Sequence, residues 1–263
     1  MKILLWIGNE PNQKALANKI HSQFPLAGII TETRINKRKI TLSKIIERLF
    51  LSSIGKAWWK MMEHYKGTFK NYPDVKLLDV ENINSDNAYA FSKSIDADLI
   101  LVSGTRLIKE KMLSLKPKIG ILNLHTGLSP YVKGGPNCTN WCIANNEFHL
   151  IGNTVMWIDS GIDSGNILTT EFTELKGDEN LEQLHIKVME HAHALYLKAI
   201  KFVSEGKMSS ISQNSIAKGT IYYNKDWTLN KKRALLTNFK NLEHTVSSGE
   251  ISKKRESIKV VKL

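Results

Sequence analysis

Short apolar runs rich in β-branched residues alternate with longer amphipathic stretches over the first 120 residues of the chain. This alternation is typical of βαβ units on a parallel sheet. The spacing of the apolar positions predicts five strands, at 3–7, 26–31, 75–80, 99–103 and 119–124. It also predicts three intervening helices, near 12–23, 42–66 and 86–95.

The stretch from about 34 to 70 is long for a simple crossover between strands, and we interpret it as a helical insertion. After the fifth strand, a Gly- and Pro-rich segment leads to a predicted helix near 137–146, and a β-rich stretch follows at 150–172. An amphipathic helix over 180–204 then closes the domain. The pattern predicts an α/β fold with a mostly parallel twisted sheet flanked by helices.

The chain has 263 residues and is 42% hydrophobic, so it can bury one sizeable core. We predict one main domain over 1–205. Residues 206–263 are polar and basic apart from an apolar patch that contains Ile221 and Trp227, and we predict a small C-terminal module or tail there.

The formal net charge of +12 is unevenly distributed. Residues 34–60 contain eight Lys and Arg against one Glu, and residues 206–263 contain twelve Lys and Arg against four acidic residues. A basic fringe of this kind suits an anionic partner such as nucleic acid, a membrane surface or a phosphorylated small substrate. A solvated surface that maintains solubility explains it equally well.

Two cysteines, Cys138 and Cys142, are too few for a disulfide framework or a four-ligand metal site. Their spacing is one helical turn, so we interpret them as reduced residues on a helix face. The apolar run at the amino terminus is too short for a signal peptide, and no apolar run reaches the length of a membrane span. We therefore expect a cytoplasmic protein.

Candidate chemistry begins at the end of the fifth predicted strand. Ligands of open parallel sheets collect at the carboxyl ends of the strands. Asn123 and His125 lie two positions apart, so they project from the same face of the strand while Leu124 turns into the packing. An amide donor and a titratable imidazole would thus share one edge of a cleft. Taken alone, such polar residues more often satisfy backbone groups at the end of a strand.

Two further segments carry candidate site residues. The loop from Asp159 to Gly165 contains two carboxylates between two β-rich runs, although Asp-Ser-Gly is also ordinary turn chemistry. The segment 101–108 leaves the fourth strand through Gly104 and can offer backbone amides and carbonyls to a flat heterocycle. Neither segment is decisive by itself.

Together the segments resemble the 10-formyltetrahydrofolate-dependent formyltransferases. The Asn-x-His motif of that family, followed by a Ser-Leu-Leu-Pro-like turn, appears here as Asn123 to Pro130, and the Asp loop appears as Gly161 to Gly165. The likeness is best over about residues 75–175. There are departures, since the turn reads GLSP and Lys133 stands where many relatives have Arg.

The resemblance implies a Rossmann-like formyltransferase fold and 10-formyltetrahydrofolate as the formyl donor, without a metal. It implies that Asn123, His125 and Asp163 are catalytic. It implies a folate site built from Gly104, Thr105, Arg106, Leu107, Ile108, Ile158, Asp159, Ser160 and Gly161. It assigns the amine substrate to Thr126, Gly127, Lys133 and Gly134.

Within that family, the sugar N-formyltransferases are the most similar in length and domain content. The first loop places Glu10 where glycinamide ribonucleotide transformylase has a phosphate loop, and only a short segment follows residue 205, whereas methionyl-tRNA formyltransferase has a full C-terminal barrel. The resemblance therefore implies a nucleotide-linked amino sugar as substrate, in surface polysaccharide or lipopolysaccharide biosynthesis. A homodimer is compatible with the sequence.

Two alternatives stay open. One is a formyltransferase that acts on another amine, such as an aminoacyl-tRNA. The other is a nucleic-acid-binding protein that uses the basic segments together with Trp58, Trp59, Tyr222, Tyr223 and Trp227 to bind phosphates and stack bases. No recognisable nucleic-acid recognition motif accompanies these residues, so we consider a nucleic-acid partner the weaker interpretation.

Overall fold

A seven-stranded sheet forms the centre of the molecule in the computed structural model, which describes residues 1–34 and 51–263. The strands are β1 (Ile3–Gly8), β2 (Leu26–Glu32), β3 (Leu77–Val80), β4 (Leu99–Ser103), β5 (Gly120–His125), β6 (Val132–Gly134), β7 (Gly152–Trp157), β8 (Ile167–Phe172) and β9 (Thr220–Tyr222). Their order in the large sheet is β3-β2-β1-β4-β5-β7-β8, and a separate pair joins β6 to β9. The first five strands of the large sheet are parallel, whereas β7 and β8 are antiparallel.

Nine α-helices lie within the described part of the chain. They are α1 (Pro11–Gln23), α2 (Ser52–Thr68), α3 (Asp86–Ile95), α4 (Glu110–Leu113), α5 (Cys138–Ala144), α6 (Leu181–Ser204), α7 (Leu229–Phe239), α8 (Leu242–Ser247) and α9 (Glu250–Arg255). Over residues 1–34 and 51–263, no helix is long and apolar enough to cross a bilayer.

The helix ends follow from local sequence chemistry. Pro11 begins α1, where its missing N–H costs no hydrogen bond. Ser85 caps α3 by accepting from the backbone N–H of Ala88. At the start of α6, Asn180 and Gln183 form a reciprocal capping box. These caps explain why the predicted starts of these three helices agree with the structure within a residue.

Both faces of the sheet are covered, which explains the continuous apolar runs of its strands. Ile3, Leu5 and Ile7 of β1 pack into a core that includes apolar residues of α1 and α6. Leu4 and Trp6 point to the opposite face, into a core with residues of α3 and α4. The alternation along one strand therefore builds two cores, and it fixes the register of the parallel strands.

The predicted α/β fold with a mostly parallel sheet is confirmed. The five strands lie at the predicted places, the β-rich stretch at 150–172 forms the antiparallel pair β7 and β8, and the helix expected near 137–146 is α5. The helix predicted at 42–66 appears from Ser52 onwards, and the predicted part from 42 to 50 lies outside the described residues.

The segment after residue 205 packs on the rest of the protein. Strand β9 pairs in parallel with β6, and Leu235 of α7 is buried in the same cluster as residues of α5. Near the carboxyl terminus, the backbone N–H of Val261 donates to the hydroxyl of Thr170 at 2.8 Å. A division of the chain into domains at residue 205 stays a prediction.

Candidate active site

A cavity of ≈ 560 Å³ opens at the carboxyl ends of β1, β4 and β5. This is the edge at which an open parallel sheet binds its ligands. The volume lies within the roughly 300–1,000 Å³ typical of small-molecule sites. All three predicted catalytic residues line it, as do the segment from Gly104 to Ile108 and most of the loop that follows β7.

Strand β5 presents Asn123 and His125 to this cavity, as their two-residue spacing predicts. The strand lies between β4 and β7, so its backbone is held on both sides. The buried hydroxyl of Tyr196 reinforces it, donating to the Leu122 carbonyl at 2.6 Å and accepting from the Val102 N–H at 3.0 Å. The amide and the imidazole are therefore carried by a rigid element.

The carboxylate of Asp163 comes from the loop between β7 and β8. Its Oδ2 lies 3.5 Å from His125 Nδ1 and accepts from the backbone N–H of Gly134 at 2.9 Å. Asp163 has a φ of +45°, in the left-handed region that non-glycine residues rarely adopt. Such a conformation costs about 1–3 kcal/mol and persists only where the surroundings hold it.

The imidazole of His125 is buried, and its neighbours shift its pKa. Burial, the largest influence, lowers the pKa of His125. The Asp163 carboxylate opposes this most strongly, followed by the Cys138 sulfur and the Val132 carbonyl, and together they raise the pKa above its usual value, to about 10. The charged form of the ring is therefore favoured at neutral pH.

The other ring nitrogen of His125 faces away from Asp163. Nε2 lies 3.3 Å from the carbonyl oxygen of Val132 and 3.6 Å from Cys138 Sγ. A carbonyl can only accept, so Nε2 carries the proton in this contact. Nδ1 is the ring nitrogen that faces Asp163.

Gly127 contributes to the histidine pocket through the space it leaves. A Cβ at this position would lie 2.4 Å from His125 Nε2 and 2.8 Å from Cys138 Sγ. The GLSP turn departs from the family motif at Gly127. This glycine leaves the space in which His125 packs against Cys138. Gly127 itself does not line the cavity.

The predicted folate segment forms one wall of the cavity. Gly104 has a φ of +69°, and a Cβ there would meet the Gln13 side chain at 2.8 Å. The backbone N–H of Arg106 already donates to Glu32 Oε2 at 2.8 Å, so this amide is engaged within the protein. Apolar side chains of Leu107, Ile108 and Ile158 complete a surface suited to a flat heterocycle.

The structure brings most of the predicted residues together and separates a few. Thr126, Gly134, Asp159 and Gly161 line the cavity, whereas Ser160, Gly127 and Lys133 do not. Lys133 lies on β6 opposite Ile221 of β9.

Arg106 was a predicted folate-site residue, but Arg34 and the pairing of the two arginines through Glu32 were not anticipated from the sequence. Arg34 Nε and Arg106 Nη1 lie 3.1 and 3.2 Å from the two carboxylate oxygens of Glu32, whose side chain is fully buried. Arg34 also donates to the Gly104 carbonyl at 2.8 Å. A signal was present, because Glu32 and Arg34 follow an apolar run at the carboxyl end of a strand.

Other lining residues come from parts of the chain that the motifs did not indicate. Glu10 lies at the N-terminus of α1, and burial raises the pKa of its carboxyl, although Arg34 opposes the shift. Trp58 and Met62 approach from α2, and Asn224 from the C-terminal segment.

The two cysteines lie on α5, as their spacing predicts, and both are free and buried. Burial raises the pKa of both thiols, although His125 opposes the shift at Cys138. Among the described residues, no group of three or more His, Cys, Asp and Glu side chains could hold a metal ion.

The comparisons with known proteins agree on one protein family. The model of the formyl transferase family matches residues 60–200. The methionyl-tRNA formyltransferase of Clostridium tetani (strain Massachusetts / E88) is 31% identical over 141 residues, which are 53% of this chain and 45% of that protein. The match thus covers less than half the length of this relative.

Two solved structures share the fold. The N-formyltransferase from Helicobacter canadensis, in complex with folinic acid and dTDP-3-aminofucose, has a TM-score of 0.58 at 16% identity over 91% of this chain and 81% of that one. The phosphoribosylglycinamide formyltransferase from Anaplasma phagocytophilum has a TM-score of 0.56 at 15% identity over 85% of this chain and 99% of that one. At such identities the likeness is one of fold.

Proposed function

This chain belongs to the formyl transferase family, and on that premise we propose that it transfers a formyl group from 10-formyltetrahydrofolate to a primary amine. The observation that carries the proposal is the meeting of Asn123, His125 and Asp163 on the wall of one cavity. An amide donor, a protonated imidazole and a carboxylate are the groups that such a transfer requires.

In the proposed reaction a bond forms between the amine nitrogen and the formyl carbon, and the bond from that carbon to N10 of the folate breaks. Negative charge develops on the formyl oxygen, and one proton passes from the amine to N10. The side-chain amide of Asn123 donates to the developing oxyanion, an interaction worth about 2.7–4 kcal/mol where comparable donors have been removed.

His125 and Asp163 manage the charge and the proton. The raised pKa of His125 favours the imidazolium, which donates to the oxyanion and returns a proton towards the departing nitrogen. The Asp163 carboxylate stabilises this imidazolium and accepts the amine proton, directly or through a water molecule. The folate is proposed to lie along Gly104 to Ile108 and the loop after β7.

For the amine substrate, we favour a nucleotide-linked amino sugar. Arg34 and Arg106 have side chains 37% and 42% exposed, and the buried Glu32 fixes both at the cavity wall. Guanidinium forks held in this way suit the oxygens of a diphosphate. The overall likeness to the Helicobacter canadensis protein, whose complex contains a nucleotide-linked amino sugar, supports the same substrate class.

Glu10 argues against a phosphate in the place next to it. A helix N-terminus attracts anions, but a carboxylate already occupies the start of α1. A phosphate there would place a second negative charge beside Glu10 and would be repelled by it. This favours a substrate that presents hydroxyl groups near α1, as a sugar does.

Methionyl-tRNA is the second candidate, and one observation favours it. The curated relative with 31% identity is a methionyl-tRNA formyltransferase, and the basic clusters at 34–60 and 206–263 suit a polyanion. The two substrates differ in how salt should affect their binding. Binding that depends on many phosphate contacts, as for a tRNA, weakens steeply as the salt concentration rises.

The decisive experiment offers the protein 10-formyltetrahydrofolate with a panel of amines and detects formylated product by mass. The panel contains nucleotide-linked amino sugars, the same sugars without nucleotide, and initiator methionyl-tRNA. We expect turnover of a nucleotide-linked sugar, and a lower kcat/KM for the free sugar because the remote binding energy is lost. Efficient formylation of the tRNA alone would refute the sugar assignment.

Two controls accompany this panel. Asn123→Ala should abolish most turnover in the same folded protein, which ties the product to this cavity. A screen in which the wild-type protein formylates no amine would contradict the formyl-transfer proposal as a whole.

A further inference from the structure

The loop that carries Asp163 is held by a residue outside the span 60–200 that the family model matches. Gln213 lies in a short 3-10 turn of the C-terminal segment and is 4% exposed. Its Nε2 donates to the carbonyl oxygens of Asp163 at 2.7 Å and Gly165 at 2.8 Å. One buried amide therefore binds two backbone carbonyls of the turn that carries Asp163.

The chemistry of these contacts fixes the orientation of the Gln213 side chain. Both partners are carbonyl oxygens, so the atom between them has to be the NH₂ group with its two donors. The Oε1 atom is buried and accepts no hydrogen bond from any residue in the described ranges. The amide thus places both its donors on this loop at the cost of an unsatisfied acceptor.

The backbone at Asp163 needs such support. Its φ of +45° is unfavourable for a residue with a side chain, and the two glycines that flank the turn, Gly161 and Gly165, give the loop little stiffness of its own. At Gly165 a Cβ would lie 1.8 Å from the Trp157 carbonyl, so the chain there is also closely packed.

The same segment also supports the Asp163 side chain. Oδ2 of Asp163 accepts from the N–H of Gly134, and Gly134 belongs to β6, which pairs with β9. Gly134 lies opposite Tyr222 in that pair, so closely that a Cβ would meet the Tyr222 carbonyl at 2.2 Å. Backbone and carboxylate of Asp163 are thus both fixed by contacts that lead to residues 213–222.

We propose that Gln213 is a positioning residue for Asp163, and that through it the C-terminal segment sets the geometry of the catalytic carboxylate. The inference rests on the proposed function, since it gives Asp163 a role in turnover. Gln213 does not line the cavity and acts only through the loop. A shift of the carboxylate by about 1 Å suffices for a rate loss near 10²-fold.

The first test is a double-variant cycle in the full chain. Gln213→Met removes both donors at similar volume, and we expect kcat to fall roughly 10- to 100-fold with little change in the KM for folate. In an Asp163→Asn background the same change should have almost no further effect, because the residue it positions is already disabled. An equal loss in both backgrounds would overturn the proposal.

Two control variants separate positioning from general loosening. Gln183→Met makes the same chemical change in the capping box of α6, remote from the cavity, and should leave kcat unchanged. Leu242→Ala opens the packing of the C-terminal segment without touching Gln213. If Leu242→Ala lowers kcat as much as Gln213→Met, a general structural role replaces the one proposed. Where Gln213→Met does not fold, Gln213→Glu removes the NH₂ group with almost no change in volume.

The second test does not depend on the amine. The imidazole of His125 is followed by NMR in protein labelled at histidine, and its pKa is compared between variants. The groups that face this ring are Asp163, Cys138 and the Val132 carbonyl. Gln213→Met should lower the pKa of His125 in the direction of the Asp163→Asn variant, and an unchanged pKa would overturn the proposal. If the wild-type protein turns over no amine, the proposed function fails, and this measurement still decides whether Gln213 positions Asp163.

Discussion

Gly127 offers the most direct test of the histidine pocket. In a Gly127→Ala variant the new Cβ would lie 2.4 Å from His125 Nε2 and 2.9 Å from the Cβ of Cys138. Ordinary van der Waals contact begins near 3.4 Å, so the imidazole has to retreat by about 1 Å. The Cys138 side chain, also in contact, blocks an easy adjustment.

This displacement should affect rate far more than folding. A 1 Å misplacement of a catalytic group can cost about 10²-fold in rate, and overpacking of this kind costs about 1–3 kcal/mol of stability. The measurement is kcat with the amine identified in the panel, together with urea unfolding to confirm a folded protein. Binding of a folate analogue should persist, because the wall from Gly104 to Ile108 is untouched.

A matched glycine provides the control for this prediction. Gly55 lies in α2, and a Cβ there would have no atom within 4 Å. Gly55→Ala should therefore stabilise the protein by about 0.5–1 kcal/mol and leave kcat unchanged. Wild-type kcat in Gly127→Ala would refute the assignment of His125 to the catalytic position.

Three further predictions follow from the same geometry. Asn123→Ala should lower kcat by roughly 10²–10³-fold without weakening the binding of a folate analogue, measured by calorimetry, because the amide is assigned to the oxyanion. Asp163→Asn should lower the pKa of His125, measured by NMR. In the wild-type protein the raised pKa of folded His125 contributes stability that is fully present below about pH 6.5 and is lost as the pH rises through that folded pKa. The difference in Tm between wild type and variant should therefore shrink as the pH rises. Leu235→Ala should cost about 2–5 kcal/mol in urea unfolding, because this side chain is fully buried between the C-terminal segment and α5.

The parts of the fold that depend on local pattern could be predicted from the sequence. Strand β4 and helix α3 lie at the predicted residues because their hydrophobic periodicity and caps are local properties. The pair β7 and β8 was recognisable as β-rich, but its direction was not, because antiparallel pairing depends on which strand edge is available. That edge is set by the order of the sheet, which no local pattern records.

Long-range contacts of single polar residues could not be predicted. Asn123 and His125 could be predicted as site residues because a strand places them on one face. Asp163 could be predicted because its loop matched a family motif. Gln213 lies in a polar stretch without periodicity, and nothing in its neighbourhood indicates that its amide binds the Asp163 loop. The bridge from Glu32 to Arg106 has the same character, because it joins the ends of two strands that are not adjacent in the sheet.

The two kinds of relative point to different amines, and the span that the family model matches does not include the whole cavity. The family match spans residues 60–200, which contain the three residues assigned to catalysis and the proposed folate wall. In the proposed function these features serve the transfer itself. Glu10, Arg34, Trp58 and Asn224 line the cavity from outside that span. Because the matched span supplies the proposed transfer chemistry, we expect these four residues to discriminate between a nucleotide-linked sugar and methionyl-tRNA.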